Sequence, residues 1–462
     1  MASLSWFLLS PNAFVSLYGL IHGPDRTVPT PAKDWHTAVV DVVIPALNEE
    51  TTIALSLASV ARQTFKVRNI ILIDDGSNDR TVQYADNFGK ANNIAIKIIK
   101  RAKSIGKTPT LKRQAREFDA DIEFILDGDT VLESENYIER TVQELYQGAG
   151  IASACGTILP LRERDREAAT FWPFMERFHS LEPDARDQPD SSWGERTSRW
   201  ITNVYRDALY MFLQRVIYRG QMLLFGTITN PVGCAVAYRR QYVADLFDKY
   251  EPILGDDLTN SEDIFIGFAM LNQGYRNIQL EDVIARSTEP RAQGLPRQIY
   301  MWSSSFLQSC FYFDSLVKSP LRSVKRWWHE RQQKKLHGEA IKQVRKIQEP
   351  YRQAWGEPYT ERFGRPIGWT LMMSAFEKIA FPTTLLILII LKMWEPLAIT
   401  LAAETILVLL ALAIVTPGQR IAYVSKGILM TPLRYTYMFF DLYTISRFAA
   451  DLWLHGNRKW RK

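Results

Sequence analysis

Cysteine is scarce in this chain. Cys155, Cys234 and Cys310 are the only three in 462 residues, widely separated and without a C-x-x-C pair. An odd, dispersed set excludes a disulfide framework and offers no zinc-site spacing, so the composition suits a reducing compartment. A positively charged N-terminal stretch is also missing. The first basic residue is Arg26, which argues against a secretory signal peptide although the opening residues are apolar. That opening run is broken by Pro11 and Asn12 and is marginal in length for a bilayer span. It reads as an interfacial or membrane-embedded helix, with a full crossing left open. Long apolar runs are otherwise absent until the last hundred residues. The net charge of +6 and the pI near 9.0 fit nucleic acid or an anionic membrane surface. The apolar C-terminal runs favour the membrane, and no nucleic-acid partner is expected.

What is present begins with alternation. From about residue 39 to 158, short apolar runs such as "AVVDVVIPA", "NIILIDD" and "DIEFILDGDT" alternate with stretches of helical periodicity. This pattern predicts βαβ units and a mostly parallel sheet, with ligands at the carboxyl ends of the strands. Asn78 or Asp79 is the expected cap of the helix after the second strand. Residues 162–226 read as mostly helical and rich in Trp, Arg and Tyr; "NPVGCAVAYRRQYV" then reads as a strand leading into a helix. Residues 322–353 form a basic segment with a Trp327–Trp328 pair, either a solvated helix or a membrane-surface contact. Two runs, near 370–393 and 396–416, are long enough to span a bilayer and should form a hairpin turning at Trp394–Glu395. Basic residues flank both, including Arg420, Lys426 and Arg434, which predicts a cytoplasmic globular part. A third apolar segment carries Arg434, Asp441, Arg447 and Asp451, and either spans or lies in the interface.

Acidic residues gather where such a sheet binds ligands. Asp74 and Asp75 end one strand, where carboxylates suit ribose hydroxyls or a base N–H, although they also suit helix capping. Asp127 and Asp129 flank Gly128 at the end of another, and hard oxygen ligands of this kind suit Mg2+ or Mn2+ shared with substrate phosphates. Lys103 and Lys107 around Gly106 could contact an anionic leaving group at a helix N-terminus near Thr108, or be ordinary surface lysines. "GDDLTNSEDIFIGFAMLNQGYR" holds Asp256, Asp257, Glu262 and Asp263, and its spacing alone leaves a metal site, a base and a capping loop all open.

The segments "VVIPALNEE", "LIDDGSNDRT", "GKTPTLKRQA", "LDGDT", "VGCAVAYRR", "SEDIFIGFAMLNQGYR" and "RQIYMW" occur in an order that resembles family 2 glycosyltransferases of the GT-A fold, over roughly residues 38–305. The resemblance is greatest to the membrane-integrated branch that includes cellulose, chitin, hyaluronan and poly-N-acetylglucosamine synthases. It implies an α/β GT-A domain over 38–298, preceded by a membrane-associated segment over 1–37. Amphipathic and basic interface helices would follow over 299–366, and transmembrane and membrane-associated helices over 367–462.

The resemblance also implies roles. Ala46, Asn48, Glu49, Asp74, Asp75, Lys107 and Asp127 would hold the nucleotide sugar, with UDP the family default, and Asp129 would bind Mg2+ or Mn2+. Asp263 would be the catalytic base, Asp257 being the alternative, with Glu262 beside it near the acceptor. The family's Q-x-x-R-W reads Gln298-Ile-Tyr-Met301-Trp302, so its arginine is missing; Arg297, on the same helix face, is a candidate substitute. Trp302 would stack on the acceptor sugar or simply pack at the interface. Lys112 stands where the family has Asn, a second departure. The expected activity is metal-dependent, inverting transfer at a multi-pass cell (inner or plasma) membrane, with a cytoplasmic active site. The acceptor would be a growing polysaccharide, with export partner subunits possible, or alternatively a lipid phosphate or ceramide-type lipid receiving a single sugar. A non-catalytic scaffold would lack the acids, and a nucleotidyltransferase would not explain "SED" followed by an aromatic helix.

Overall fold

The computed structural model describes residues 17–21, 34–147, 150–185, 190, 192–254, 261–332 and 356–455. The alternation appears as β1 (Val40–Ala46), α1 (Ile53–Ala61), β2 (Asn69–Asp74), α2 (Thr81–Asn92), β3 (Ile96–Lys100), α3 (Lys107–Glu117) and β4 (Ile122–Leu126). A short β5 (Thr130–Leu132), α4 (Tyr137–Tyr146) and the fully buried β6 (Ile151–Pro160) follow. Successive β1 residues divide between two cores: Val42 and Ile44 join one cluster and Val43 the other. That is why the strand is apolar throughout rather than alternating.

Three helices follow, α5 (Glu163–Thr170), α6 (Pro173–Leu181) and α7 (Trp193–Phe212); the first two add Ala169, Met175 and Phe178 to the cluster of Val42 and Ile44. Ser192 and Glu195 form a reciprocal capping box that starts α7. A π-helical stretch, Leu213–Tyr218, runs on into α8 (Arg219–Phe225). Gly19 lies so near Gly220 that an added Cβ would meet its carbonyl at 2.3 Å, so the short helical piece at 17–21 rests on α8. The domain closes with β7 (Ala235–Arg239), α9 (Arg240–Leu254), α10 (Glu262–Asn272), β8 (Arg276–Ser287) and α11 (Leu295–Tyr312).

The eight strands form one sheet in the order β3-β2-β1-β4-β7-β6-β8-β5. Pairings β2–β3, β1–β2, β1–β4 and β6–β8 are parallel, and β4–β7, β6–β7 and β5–β8 antiparallel. The sheet is therefore mixed, with parallel pairs the larger part. The carboxyl ends of β1, β2 and β4 lie side by side: Ala46 pairs with Asp74, and the Gly128 N–H donates to Pro45 O at 3.2 Å.

Helices α12 (Gly368–Ile390), α13 (Trp394–Val415) and α14 (Arg420–Trp453) pack beyond α11. The first two are long and apolar enough to cross a membrane, and little of either is buried within the protein. Leu386, Ile390, Ile406, Leu410 and Ile414 are among the large side chains they expose, as a lipid-facing surface would. The hairpin turns at residues 391–393, where Lys392 adopts a left-handed φ of 53°, just before the expected Trp394–Glu395. The third segment is one 34-residue helix. Two of its charges are paired with other helices: Arg434 bonds Glu404 of α13, and Asp441 accepts from Lys378 of α12 at 3.0 Å and from Ser303 of α11 at 2.7 Å. Pairing of this kind is how ionisable groups persist at membrane depth.

Helix α2 starts at Thr81, and Asp79 rather than Asn78 accepts its first N–H, at 2.9 Å. Asp256, Asp257 and most of the N-terminal and basic segments lie outside the described residues.

Candidate active site

The site grows from strand ends. Asp127 and Asp129 follow β4, with Gly128 between them. A Cβ at Gly128 would lie 3.0 Å from Ala46 Cβ and 3.1 Å from Glu49 Cγ, so glycine lets the acidic loop settle against the end of β1. The Asp127 N–H donates to Cys234 O at 2.9 Å, and Asp129 O accepts from the Thr288 N–H at 3.0 Å. The loop is thus held between β7 and the end of β8.

Helix α3 brings in a cation. Lys107 Nζ lies 2.6 Å from Asp127 and 2.7 Å from Glu262, and donates to Gly233 O at 3.1 Å. One ammonium therefore joins the acidic loop after β4 to the start of α10. Desolvation opposes its charge, but Asp127 and Glu262 outweigh that and hold the Lys107 pKa well above the usual lysine range.

Asp263 sits beside Glu262 in the first turn of α10, where the helix dipole favours a carboxylate. Its Oδ1 accepts from Ser261 Oγ and, at 2.8 Å, from the Ile264 N–H; its Oδ2 accepts from the Gly233 N–H at 3.2 Å. Burial, then the Glu262 charge, push its pKa up to about 6, partly offset by Ser261 and Lys107. A carboxylate ionised at neutral pH yet basic near it is suited to accept a proton.

Glu49, Asp127 and Asp129 crowd one another. Burial, then Asp129 and Asp127, raise Glu49 to about 9; burial raises Asp127 to about 6 and raises Asp129 as well. A divalent cation would relieve this repulsion. Among the described residues no three His, Cys, Asp or Glu side chains are arranged to ligate one ion. The fit is therefore to an ion held by one or two carboxylates and completed by substrate phosphates, the usual habit of Mg2+.

The other expected donor residues also reach this edge. Asp74 Oδ1 accepts the Ser77 N–H at 3.0 Å. Asp75 takes four donors, Arg101, Ser104 and the Ile105 and Gly106 N–H groups. Burial acts to raise its pKa, but these donors outweigh it and hold it below the usual range. Asp75 thus orders the loop that leads into Lys107, and a nucleotide contact would have to share its oxygens. Asn48, in a left-handed turn at φ 58°, accepts the Asn78 N–H at 2.9 Å and fixes the neighbouring loop. Lys112, the residue at the second departure, pairs with Glu251 of α9.

The residues expected to face an acceptor, Gln298 and Trp302, lie one turn apart on α11, and Trp302 is 36% exposed. Arg297 is exposed, and among the described residues it pairs with no carboxylate. The guanidinium at this position is that of Arg206, from α7. It donates to Gln298 Oε1 at 2.7 Å, lies 4.5 Å from the Trp302 ring centre and 3.6 Å from Glu289. Arg206 and Glu289 were not singled out in the sequence, nor was Arg166, which is buried and donates to Thr51 O at 3.0 Å near Glu49. The one available signal was an arginine on the apolar side of "ITNVYRDALYMF".

Residues 41–247 match the sequence profile described as Glycosyl transferase family 2. An N-acetylglucosaminyltransferase of Bradyrhizobium diazoefficiens is 24% identical over 277 residues, 59% of this chain and 50% of that protein. One of Sinorhizobium fredii is 23% identical over 271 residues, 58% of this chain and 57% of that protein. The chain thus spans about half the length of these relatives. Among solved structures, a mannosyltransferase from Pyrobaculum calidifontis in complex with GDP-Man and Mn2+ aligns over 96% of this chain and 97% of its own, at 16% identity and a TM-score of 0.48. The mixed sheet with its acidic carboxyl edge agrees with the α/β domain expected over these residues.

Proposed function

We propose that the chain, whose residues 41–247 match the glycosyl transferase family 2 profile, is a membrane-bound inverting glycosyltransferase. It moves a sugar from a nucleotide-sugar donor, UDP by family habit, to a growing polysaccharide. The observation that carries this reading is the meeting of Asp127 with Glu262 and Asp263 around Lys107, in ion pairs of 2.6 and 2.7 Å. It gives one site both a place for a diphosphate and a base.

Asp263 takes the proton from the acceptor hydroxyl as its oxygen attacks the anomeric carbon. The bond to the nucleoside diphosphate breaks on the opposite face, and the diphosphate leaves with the bonding pair. Lys107 and the N-terminus of α3 offer it positive charge. Ala46, Asn48, Glu49, Asp74, Asp75 and Asp127 line the donor side, and Glu262, Gln298 and Trp302 the acceptor side. Mg2+ or Mn2+ at Asp129 would supply Lewis-acid stabilisation of the leaving group. The N-acetylglucosaminyltransferase relatives make an N-acetylhexosamine the first donor sugar to try. Basic residues flanking the α12–α13 hairpin favour a cytoplasmic site in a cell membrane.

A lipid acceptor receiving a single sugar is the second reading. It is favoured because, among the described residues, only two helices are long and apolar enough to span, whereas a translocation path needs several. The experiment is hydrolysis of a nucleotide-sugar panel with and without Mn2+, followed by product sizing on a gel. Metal-dependent turnover that is lost in Asp263→Asn supports the reading. Wild-type turnover by that variant removes Asp263 as base, and a single added sugar removes the polymer acceptor.

A further inference from the structure

Arg206 is 1% exposed, an unusual place for a guanidinium inside a helix that faces the acceptor side. Everything around it belongs to that side. Its Nη2 donates to Gln298 Oε1 at 2.7 Å, its Cζ lies 4.5 Å from the Trp302 ring centre, and Glu289 is 3.6 Å from Nε. Nε itself makes no hydrogen bond although it is buried, and neither does Glu289 Oε2. Tyr210, one turn further along α7, also reaches Glu289.

These contacts have a directional consequence. A guanidinium only donates, so Gln298 must turn its oxygen to Arg206 and its NH2 away. The same group rests on the Trp302 indole, fixing that ring by cation–π contact. Ser303, the next residue, is bonded to Asp441 at 2.7 Å, so α11 is also tied to α14.

We propose that Arg206 is the positioning residue of the acceptor site. It orients Gln298 as a hydrogen-bond donor to an acceptor oxygen and Trp302 as a stacking platform, the combination that recognises a sugar ring. The guanidinium beside Gln298 and Trp302 thus comes from α7 and not from Arg297. It rests on the glycosyltransferase reading and deepens it: the acceptor presents a sugar unit to α11, whatever that sugar is attached to.

The test uses the full chain in detergent with UDP-N-acetylglucosamine as donor and chitotetraose as acceptor probe, separating hydrolysis to water from transfer to the probe. Arg206→Met is expected to raise the acceptor KM tenfold or more while donor KM and hydrolysis to water stay within about twofold. Arg206→Lys keeps the charge but not the planar donor, and should restore little. Because loss of one charge of a buried pair can unfold the chain, Gln298→Glu provides the second arm. It keeps an acceptor oxygen for Arg206, loses the NH2, and should show the same acceptor defect. An unchanged acceptor KM in both Arg206→Met and Gln298→Glu, or a donor KM raised as much as the acceptor KM, overturns the proposal. So does transfer by the wild type to a polyprenyl phosphate but not to the sugar probe. A wild type that hydrolyses no nucleotide sugar refutes instead the glycosyltransferase reading on which the proposal rests.

Discussion

Replacing Gly233 by alanine tests the position of Asp263 without touching its chemistry. A Cβ at Gly233 would meet Asp263 Cβ at 2.7 Å and its Cγ and Oδ2 at 2.9 Å. Ordinary contact begins near 3.4 Å, so the Asp263 side chain has to retreat by about 0.5 Å at its carboxylate and about 0.7 Å at its Cβ, and displacements approaching 1 Å cost up to about 100-fold in rate. The Gly233 N–H bond to Oδ2, 3.2 Å long, is strained by the same movement. Gly233→Ala should therefore lower kcat by about 10- to 100-fold, or roughly 1.4–2.7 kcal/mol of barrier. Overpacking of this kind destabilises by roughly 1–3 kcal/mol, so a melting curve must accompany the kinetics. Steady-state assays with saturating donor would separate kcat from donor KM, which should change little. A folded Gly233→Ala protein with wild-type kcat would refute the assignment of Asp263 as the base.

Further expectations follow from the electrostatics and the helix contacts. The Asp263 carboxyl is raised to about 6, so the base is ionised above that pH and protonated below it. kcat/KM should rise with pH through about 6 and at pH 5 be roughly a tenth of its plateau; a flat profile from pH 5 to 8 contradicts this. Chelation with EDTA should abolish turnover and Mn2+ restore it, whereas Asp129→Asn should need much higher Mn2+ for half activation; a titration of rate against free Mn2+ reads both. Lys378 and Asp441, 3.0 Å apart, should show a coupling of about 1 kcal/mol in a double-mutant cycle of detergent unfolding, and no coupling would mean the contact is absent in solution.

Much of the domain was legible because its signals are local. The β1, β2 and β4 runs are apolar on both faces, and the acids after them fall on one sheet edge by strand geometry alone. The start of α10 was legible too, since "SED" precedes an apolar helix. What the chain hid is non-local. Nothing near residue 235 says that β7 inserts antiparallel between β4 and β6, because strand order is decided by packing between distant segments. Arg206 and Gln298 meet across 92 positions, so the missing arginine could be sought only on the same helix, where Arg297 offered itself. The charges in α14 left its placement open because their partners, Glu404 and Lys378, lie on other helices.

Helix α14 is tied to the rest of the protein at several heights, and two of these ties stand far apart. Lys426, near its start, pairs with Asp207 of α7 at 2.6 Å, and Asp441, fifteen residues on, bonds α11 and α12. At about 1.5 Å per residue those anchors stand roughly 22 Å apart along one stiff rod. A body pinned at two such points cannot pivot about either of them. One helix thus ties the α/β domain to the hairpin, and if the proposed enzyme adds sugars in succession, the product would have to slide past that joint between additions.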